Sequence, residues 1–420
     1  AGYNPGDHNQ AVSVPIYQTA SYELGDTERA KRLFAFSELG FVYSRMANPT
    51  VTVLEQRVAA LDGAAGAVAL GSGMAAVTYT LLNLAEGGGR ILTSPQLYGG
   101  TFDSFKKIYP NFGLTIDYVP DINDPDAVRA AIRPDTRAVY VESISNPNNV
   151  VADIETLAGI AHENGLPLVV DNTLATPYLL KPIQYGADLV VYSATKNLGG
   201  HGNAIAGLIL ESGSFNWANG KFPQFVRPYY TLRDLNGKER SFTEVFPPIP
   251  FTFRIRRVYL AYLGAAVSPF DAYLILQGLE TLSERVQKQV ASTQKIIRYL
   301  ENQQAVAWIK HPAAVNSPYK ELTAKYLPHG AGSTFAFGVN GTDEQIDKFI
   351  NSLQLFSYQV NLGDTRSLVV NSPKTTHGEL TPAEQELAVI PANTVRLSIG
   401  LEDSDDLIAD LEQAFTQAFI

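Results

Sequence analysis

The sequence predicts an α/β protein, with a mostly parallel sheet in an α/β/α large domain and a smaller α+β domain at the C-terminal end. Two observations indicate this fold class. Short runs rich in Val, Ile and Leu recur over roughly 62–215, and segments of helix length separate them. Such continuous apolar runs are typical of strands that are buried on both faces and connected by crossover helices. After the last of these runs the rhythm changes to an α+β pattern.

Seven apolar runs are the predicted strands of the sheet. They are Ala67–Leu70, Arg90–Thr93, Leu114–Val119, Ala138–Val141, Leu166–Val170, Leu189–Tyr192 and Ile205–Leu210. A helix is predicted near Thr50–Leu61, before the first strand, and one long helical stretch over Ser268–Val290 follows the last strand. Prolines, glycines and aromatic residues interrupt the rhythm at about 213–258, which indicates a long insertion or an excursion over the surface.

The chain therefore divides into three predicted parts. We expect an N-terminal arm over 1–60, a large domain over 61–275 and a C-terminal domain over 276–420. Hydrophobic residues make up 45% of the chain and charged residues 18%, which is ordinary for a folded globular protein and argues against disorder.

Charge and composition exclude several classes of function. Because 32 Lys and Arg residues face 42 Asp and Glu residues, the formal net charge is −10, which argues against nucleic acid or an anionic membrane as a main partner. The chain has no cysteine, so disulfides and a cysteine nucleophile are excluded, and we predict no metal site. It also lacks an apolar run of membrane-spanning length and a signal-peptide pattern at its start, so we expect a cytoplasmic protein.

Chemically useful residues follow several of the predicted strands. They are Gly71–Met74, Tyr98, Asn146, Asp171 and Ser193–Lys196. In an open parallel sheet the carboxyl ends of the strands meet at one edge, and ligands bind there. We therefore expect glycines, hydroxyls, a carboxylate, a phenol and an amine to converge on one site.

Gly73 and Met74 lie between a predicted strand and a predicted helix, where backbone N–H groups and the helix dipole favour a phosphate. The hydroxyls of Ser193 and Thr195 can reach the same group. The alternative is a glycine turn that only packing requires. The residues Gly71–Ala76 also satisfy the spacing of the dinucleotide fingerprint, but no acidic residue follows the second strand to hold a ribose, which disfavours a nicotinamide cofactor.

Lys196 and Asp171 are the pair that points to a particular chemistry. A lysine held at a strand end beside phosphate donors can form a Schiff base with an aldehyde cofactor. A buried carboxylate needs a partner, and a protonated pyridine nitrogen is one. The alternatives are a loop charge for Lys196 and a helix N-cap for Asp171. Tyr98 can stack on a flat ring or simply pack as an ordinary half-buried aromatic residue.

These residues occur in motifs whose joint order is specific. The motifs are Tyr43–Thr50, Gly71–Met74, Leu97–Thr101, Asp171–Thr173 and Ser193–Lys196. From Val14 to the C-terminus the chain resembles the pyridoxal-phosphate enzymes of cysteine and methionine metabolism. The resemblance implies a fold-type-I transferase that binds pyridoxal 5′-phosphate and forms homotetramers in which neighbouring subunits share active sites.

The resemblance also implies roles for individual residues. Lys196 corresponds to the lysine that holds the cofactor as a Schiff base and moves protons, and Asp171 to the partner of the pyridine nitrogen. Tyr98 corresponds to the stacking tyrosine, which also assists the leaving group. The phosphate contacts implied in the same chain are Gly73, Met74, Ser193 and Thr195, and those implied for a neighbouring subunit are Tyr43 and Arg45.

The substrate contacts implied by the resemblance are Arg396, Asn146 and Asn361. A guanidinium fork suits the α-carboxylate of an amino acid, so Arg396 is the implied carboxylate clamp. The alternatives are an ordinary surface arginine on a strand for Arg396, and a contact with a cofactor oxygen or simply a turn of the Asn-Pro pair for Asn146.

Within the family, several features favour the sulfhydrylase branch. They are Val14–Thr19, the Tyr43–Thr50 motif, Asn361–Leu368 followed by Ser372–His377, the insertion at 213–258, and Gly100 where methionine γ-lyases typically carry a cysteine. We therefore expect replacement of the γ-substituent of O-acetyl-L-homoserine by sulfide or a small thiol. Methionine γ-lyase and cystathionine γ-synthase activities are the alternatives. Departures at Asn203–Ala204 and Gly378–Glu379 leave the choice between acetyl, succinyl and phospho esters open.

Overall fold

The computed structural model of the protein describes residues 2–419. A seven-stranded sheet forms the large domain, in the spatial order β1-β7-β6-β5-β4-β2-β3. Its strands are β1 (Gly66–Leu70), β2 (Gly89–Thr93), β3 (Leu114–Tyr118), β4 (Thr136–Glu142), β5 (Leu168–Asp171), β6 (Leu189–Ser193) and β7 (Gly207–Glu211). The pairs β2–β3, β2–β4, β4–β5 and β5–β6 are parallel, whereas β7 runs antiparallel to both β1 and β6. The predicted mostly parallel sheet is confirmed.

Helices surround this sheet, and several of them cover its two faces. They are α1 (Thr27–Phe34), α2 (Pro49–Asp62), α3 (Gly73–Leu84), α4 (Gly99–Lys107), α5 (Pro125–Ala131), α6 (Ile154–Glu163), α7 (Thr176–Leu179), α8 (Pro223–Val226), α9 (Phe242–Val245), α10 (Pro250–Arg254), α11 (Ala261–Leu263) and α12 (Pro269–Glu280). A π-helical turn at Ile255–Leu260 joins α10 to α11, and short 3-10 turns lie at Pro5–His8, Tyr109–Phe112 and Pro182–Tyr185.

Alternating side chains on each strand supply two cores, one on each face. On β6, Val190 and Tyr192 pack into the core with α2, α6 and α12. Leu189 and Val191 pack into the opposite core with α3. Because every second residue of a strand points to the same face, a strand with a core on both sides reads as a continuous apolar run.

The segment 213–258 lies in the second core. It contains a hairpin of β8 (Tyr229–Arg233) and β9 (Glu239–Arg240) and a set of buried aromatic residues, Trp217, Phe222, Phe225, Phe242 and Phe251. The indole of Trp217 stacks on Phe251 at 5.0 Å between ring centroids. Its aromatic side chains pack under the sheet, so the segment is not merely an excursion over the surface, and its interpretation as an insertion stays a prediction.

A five-stranded sheet forms the C-terminal domain, in the order β10-β11-β14-β13-β12. Its strands are β10 (Val306–Lys310), β11 (Thr334–Val339), β12 (Ser357–Tyr358), β13 (Leu368–Asn371) and β14 (Thr394–Ser398). The helices are α13 (Leu282–Leu300), α14 (Lys320–Tyr326), α15 (Asp343–Ser352), α16 (Pro382–Leu387) and α17 (Ser404–Phe419). Only the β12–β13 pair is parallel among these described strands. This is the α+β pattern that the sequence predicts.

Some element boundaries differ from prediction. The last strand of the large sheet begins at Gly207, because Ile205 is exposed at the pocket described below. The helical stretch predicted as one unit is two helices, with a break at Thr281. Helix α1 was not predicted, since it is short and only Leu33 in it is buried. The predicted boundary between 275 and 276 falls within α12, and the three-part division stays a prediction.

Candidate active site

The carboxyl ends of the parallel strands face β14 and two loops of the C-terminal domain, and together they enclose a pocket of about 270 Å³. Ten of the residues predicted from the sequence line it. They are Gly73, Met74, Tyr98, Asn146, Asp171, Ser193, Thr195, Lys196, Asn361 and Arg396. The first eight come from the edge at which ligands bind in an open parallel sheet, and the last two come from the second domain.

The close approach of α3 to the end of β6 creates an anion-binding corner. A Cβ atom on Gly73 would lie 2.6 Å from the Cβ of Ser193, so only glycine allows this approach. Gly73 and Met74 are the first residues of α3, where backbone N–H groups lack acceptors within the helix. Ser72 caps the same helix by accepting a hydrogen bond from the N–H of Ala75. The corner therefore combines N–H groups with the neighbouring hydroxyl of Ser193, which suits a phosphate.

Lys196 follows β6 and reaches across the pocket to the C-terminal domain. Its Nζ donates a hydrogen bond to Oδ1 of Asn361 at 2.7 Å. Burial and the positive charge of Arg396 lower the pKa of Lys196 to about 8, against a smaller opposing effect of Asp364. The loop that carries the lysine is held by Arg285, whose guanidinium donates to the carbonyl oxygen of Asn197 at 2.9 Å. The alternative of a free loop charge is wrong.

Asp171 ends β5 inside the pocket. Its Oδ1 accepts a hydrogen bond from the N–H of Thr173 at 3.0 Å, and its Oδ2 lies 3.4 Å from the hydroxyl of Tyr140. Burial raises the pKa of Asp171 despite these bonds. No lysine, arginine or histidine of residues 2–419 forms an ion pair with this carboxylate. It does not cap a helix either, since α7 begins only at Thr176 and has no side-chain cap.

Arg396 lies at the centre of β14 and is 3% exposed, so the alternative of a surface arginine is wrong. Its Nη1 donates to Oδ1 of Asn146 at 3.2 Å, and its Nη2 donates to the carbonyl oxygen of Asn361 at 2.9 Å. Burial lowers the pKa of this guanidinium to about 10. Both hydrogen-bond partners are neutral, so the cation is uncompensated within the described chain. An anionic ligand group would supply the missing charge.

Tyr98 immediately precedes α4 and is 40% exposed at the pocket. Its ring lies close to Gly100, where a Cβ atom would be only 2.7 Å from Cε1 of Tyr98. The next glycine, Gly99, lies so close to the carbonyl oxygen of Thr376 that a Cβ there would be 2.3 Å from it. The position of the ring therefore depends on two glycines and on the 372–378 loop.

Tyr43 and Arg45 do not line this pocket. The guanidinium of Arg45 lies over the ring of Tyr43, 5.0 Å from its centroid, and Tyr43 is 40% exposed. The structure thus separates this pair from the other ten predicted residues. Their implied contact with the phosphate of a neighbouring subunit stays a prediction.

Glu142 lines the pocket and received no role from the sequence. It is the last residue of β4 and lies directly opposite Asp171 in the register of β4 and β5. Its two carboxylate oxygens accept hydrogen bonds from the backbone N–H groups of Tyr98, at 2.7 Å, and Asn146, at 3.0 Å. Burial and the charge of Asp171 raise the pKa of Glu142 to about 8. Its place directly after an apolar run is the same signal that identifies Asp171.

The residues of the pocket fit pyridoxal phosphate. The α3 corner suits a phosphate, Lys196 supplies an amine that burial keeps partly neutral, and Asp171 is a buried carboxylate without a cation. A protonated ring nitrogen would satisfy that carboxylate. No cluster of three or more His, Asp or Glu residues within 2–419 could hold a metal ion. Helices long and apolar enough to cross a membrane are also absent from that range.

Comparisons with known proteins agree with this pocket. The family model of the Cys/Met metabolism PLP-dependent enzyme, where PLP is pyridoxal phosphate, matches residues 1–416. A sulfhydrylase of Gibberella moniliformis is 43% identical over 100% of this chain and 96% of its own length. The O-acetyl-L-homoserine sulfhydrylase of Leptospira meyeri is 42% identical over 98% of this chain and 94% of its own.

A solved structure of a similar enzyme has the same fold as this chain. It is that of an O-acetylhomoserine (thiol)-lyase from Campylobacter jejuni, which carries a pyridoxyl-lysine phosphate. Its TM-score with this chain is 0.92 at 36% sequence identity, covering 99% of this chain and 98% of the other. On the match of the family model over nearly the whole chain, and on these relatives, the protein belongs to the Cys/Met metabolism PLP-dependent enzymes.

Proposed function

We propose that the protein replaces the acetate group of O-acetyl-L-homoserine by sulfide, giving homocysteine and acetate, or by a small thiol such as methanethiol, giving methionine and acetate. One observation carries this proposal. Asn361 accepts a hydrogen bond from Lys196 on its side chain and one from Arg396 on its backbone oxygen. An amino acid whose carboxylate binds Arg396 therefore has its α-carbon close to the lysine amine. The sulfhydrylase names of the relatives support the choice of substrate.

Arg396 would bind and orient the α-carboxylate of the substrate. Its guanidinium is planar and can donate two parallel hydrogen bonds to a carboxylate. Asn146 already holds one arm of the guanidinium at 3.2 Å and would keep the fork in position. The surrounding burial strengthens the attraction because little water screens it.

The cofactor would be held at both ends by this chain. Gly73, Met74, Ser193 and Thr195 would bind its phosphate, and Asp171 would pair with its ring nitrogen. When bound, pyridoxal phosphate supplies an electron sink that stabilises negative charge at the substrate's α-carbon. Tyr98 would stack on the ring.

Lys196 would be the proton carrier. With a pKa of about 8 its amine is partly neutral near neutral pH, so Nζ can accept a proton and return one. Nζ would remove the α-proton, give it up and then, neutral again, remove a β-proton, which lets the γ-carbon lose acetate together with the C–O bonding pair. Hydrosulfide then forms the new C–S bond at the γ-carbon, and the two protons return to the β- and α-carbons. The hydroxyl of Tyr98 would assist the departing acetate.

An activity panel tests this proposal. The protein, purified with pyridoxal phosphate, is given O-acetyl-, O-succinyl- and O-phospho-homoserine, each with sulfide, and methionine alone or O-acetylhomoserine with cysteine in parallel. We expect homocysteine formation to be fastest from the acetyl ester. Faster release of methanethiol from methionine would instead identify a γ-lyase, and faster formation of cystathionine from cysteine a γ-synthase. Absence of visible absorbance from bound cofactor would reject all three.

We further propose a cytoplasmic homotetramer whose active sites are shared. The position of Tyr43 and Arg45 outside the pocket of their own chain supports sharing. Mixing an inactive Lys196→Ala variant with an inactive Arg45→Ala variant should restore part of the activity, since mixed pairs contain one intact site. No recovery after co-refolding would contradict a shared site. Sedimentation and cell fractionation test the tetramer and the compartment.

A further inference from the structure

Glu142 is a buried carboxylate that none of the roles above uses. It is 7% exposed, and its oxygens face only the two backbone N–H groups of Tyr98 and Asn146. A carboxylate buried without a cation is costly, so two N–H bonds alone do not account for its presence in the sheet. A glutamine could accept only one of these bonds through its oxygen.

The two hydrogen bonds connect different parts of the pocket. Tyr98 immediately precedes α4, and no side chain caps that helix. By accepting a hydrogen bond from the N–H of Tyr98, Glu142 fixes the backbone at the start of α4. The N–H of Asn146 belongs to the residue whose side chain touches Arg396. One carboxylate thus holds both the backbone of Tyr98 and the backbone of the residue whose amide orients Arg396.

Asp171 lies beside Glu142 across the strand pair, and the two negative charges oppose each other. The groups that contact Asp171 are the neutral hydroxyl of Tyr140 and the N–H of Thr173, and no ion pair of the described chain relieves this repulsion. A cation placed against Asp171 would relieve it and would favour ionised Glu142, the form with two oxygens that both accept hydrogen bonds.

We propose that Glu142 is a positioning residue which couples occupation of the ring-nitrogen site at Asp171 to the placement of Tyr98 and of the Asn146–Arg396 clamp. The inference rests on the proposed function, because it takes Asp171 as the contact of a cationic ring nitrogen. Glu142 itself touches neither ligand in this scheme. Its hydrogen bonds to the backbone N–H groups of Tyr98 and Asn146 would connect the cofactor end of the pocket to the substrate end.

Glu142→Gln tests the inference, because it keeps the shape and removes the charge and one acceptor. We expect the dissociation constant of pyridoxal phosphate and the KM of the amino acid each to rise roughly ten-fold, because the variant loses one hydrogen bond to a charged group. The induced circular dichroism of the bound cofactor should weaken, since the ring of Tyr98 is no longer fixed. We expect kcat to change less than KM.

Glu211→Gln is the matched control. Glu211 is also a buried carboxylate at the end of a strand and accepts two backbone N–H bonds, from Phe251 at 3.1 Å and Thr252 at 2.8 Å, but it lies away from the pocket. It should lose thermal stability and keep the cofactor affinity, the dichroism and KM of the parent. If both variants lose only stability, the inference is overturned.

A double-mutant cycle tests the coupling itself. The effects of Asp171→Asn and Glu142→Gln on the dissociation constant of pyridoxal phosphate should not add when the two are combined. Additive effects would overturn the coupling. If Glu142→Gln does not fold, Glu142→Asp, which keeps the charge on a shorter arm, replaces it in the same cycle with the same criterion. Failure of the unmodified protein to bind the cofactor would reject the proposed function, whereas normal binding by every variant would reject this inference alone.

Discussion

Glu142 and Glu211 end strands that run in opposite directions, so they lie at opposite edges of the same sheet. At the edge of Glu211, the indole N–H of Trp217 and the hydroxyl of Thr252 add two donors to its two backbone bonds. At the edge of Glu142, the neighbour is another carboxylate, Asp171. Burial raises the pKa of Glu211 to about 7, and that of Glu142 to about 8 with the help of Asp171.

This difference distinguishes the end of the sheet that only packs against other elements, at Glu211, from the end that carries the pocket, at Glu142. Around Glu211 the aromatic residues of the 213–258 segment fill the space, and Trp217 and Thr252 donate hydrogen bonds to its carboxylate. Around Glu142 the charges of Lys196, Asp171 and Arg396 meet neutral partners or like charges. Charged groups without an opposite charge in the folded chain are typical of a site where a bound ligand supplies that charge. The following experiments contrast the pocket with the rest of the molecule.

The largest effect is expected for Lys196→Ala. Turnover should fall by roughly a thousand-fold or more, and the visible absorbance of the lysine-bound cofactor should disappear, because the amine is both the attachment point and the proton carrier. Lys310 is the matched control. It is also a partly buried lysine whose pKa is lowered to about 8 by burial, and it donates to Oδ1 of Asn148 at 2.8 Å. Lys310→Ala should keep the absorbance, and a Lys196→Ala variant that keeps it would break the contrast.

Arg396→Ala should chiefly raise the KM of the amino acid. Removing the partner of a buried charge costs about 3–5 kcal/mol, which corresponds to roughly a hundred-fold or more in affinity. The control is Arg254→Ala at the other edge, where a buried arginine donates to Asn83 and Glu86. That substitution should lower the melting temperature and leave the KM of any remaining folded enzyme unchanged. An unchanged KM in Arg396→Ala would reject the carboxylate role.

Gly73→Ala should weaken cofactor binding by about ten-fold or more, since its Cβ would lie 2.6 Å from that of Ser193 and would push α3 away from β6. Gly66→Ala offers the contrast, because its Cβ would lie 2.7 Å from the side chain of Ile249 in the 213–258 segment. It should reduce stability without changing cofactor affinity, measured by absorbance titration. Equal losses of affinity in both variants would show that the two edges are not independent.

The pH dependence of cofactor attachment should show the smallest effect. The neutral amine is the nucleophile, so the rate at which the cofactor-free protein reacts with pyridoxal phosphate should rise with pH and level off above about 8, the lowered pKa of Lys196. An ordinary lysine would continue to gain reactivity up to about 10.4. Stopped-flow absorbance measures this rate, and a midpoint near the ordinary value would contradict the buried, Arg396-facing environment of the amine.

Prediction from the sequence succeeded where the signal was local. The seven strands are apolar runs because they are buried on both faces, and Gly73, Asp171 and Lys196 follow strands whose ends meet at one edge. It was less successful for the long segment 213–258, whose aromatic residues could equally have been a surface excursion. Whether such residues are buried depends on what packs against them.

Glu142 shows where a local signal was insufficient. Its position after an apolar run was visible, but its partners are backbone N–H groups of Tyr98 and Asn146, and backbone groups carry no sequence signal. The break at Thr281 and the reversed direction of β7 are similar cases, since both depend on how neighbouring segments pack.

The sequence by itself determined the α/β class, the strand-end positions of the cofactor-binding candidates and the family motifs, because periodicity and turn residues are encoded over a few neighbouring positions. Only the tertiary structure decided that Arg396, Asn361 and Asn146 meet Lys196 in one pocket, although Asn146 and Arg396 lie 250 positions apart. Contacts at that separation come from the packing of one domain on another. The charges of Arg396 and Lys196 indicate a ligand site only when the residues are buried, because water would otherwise screen them.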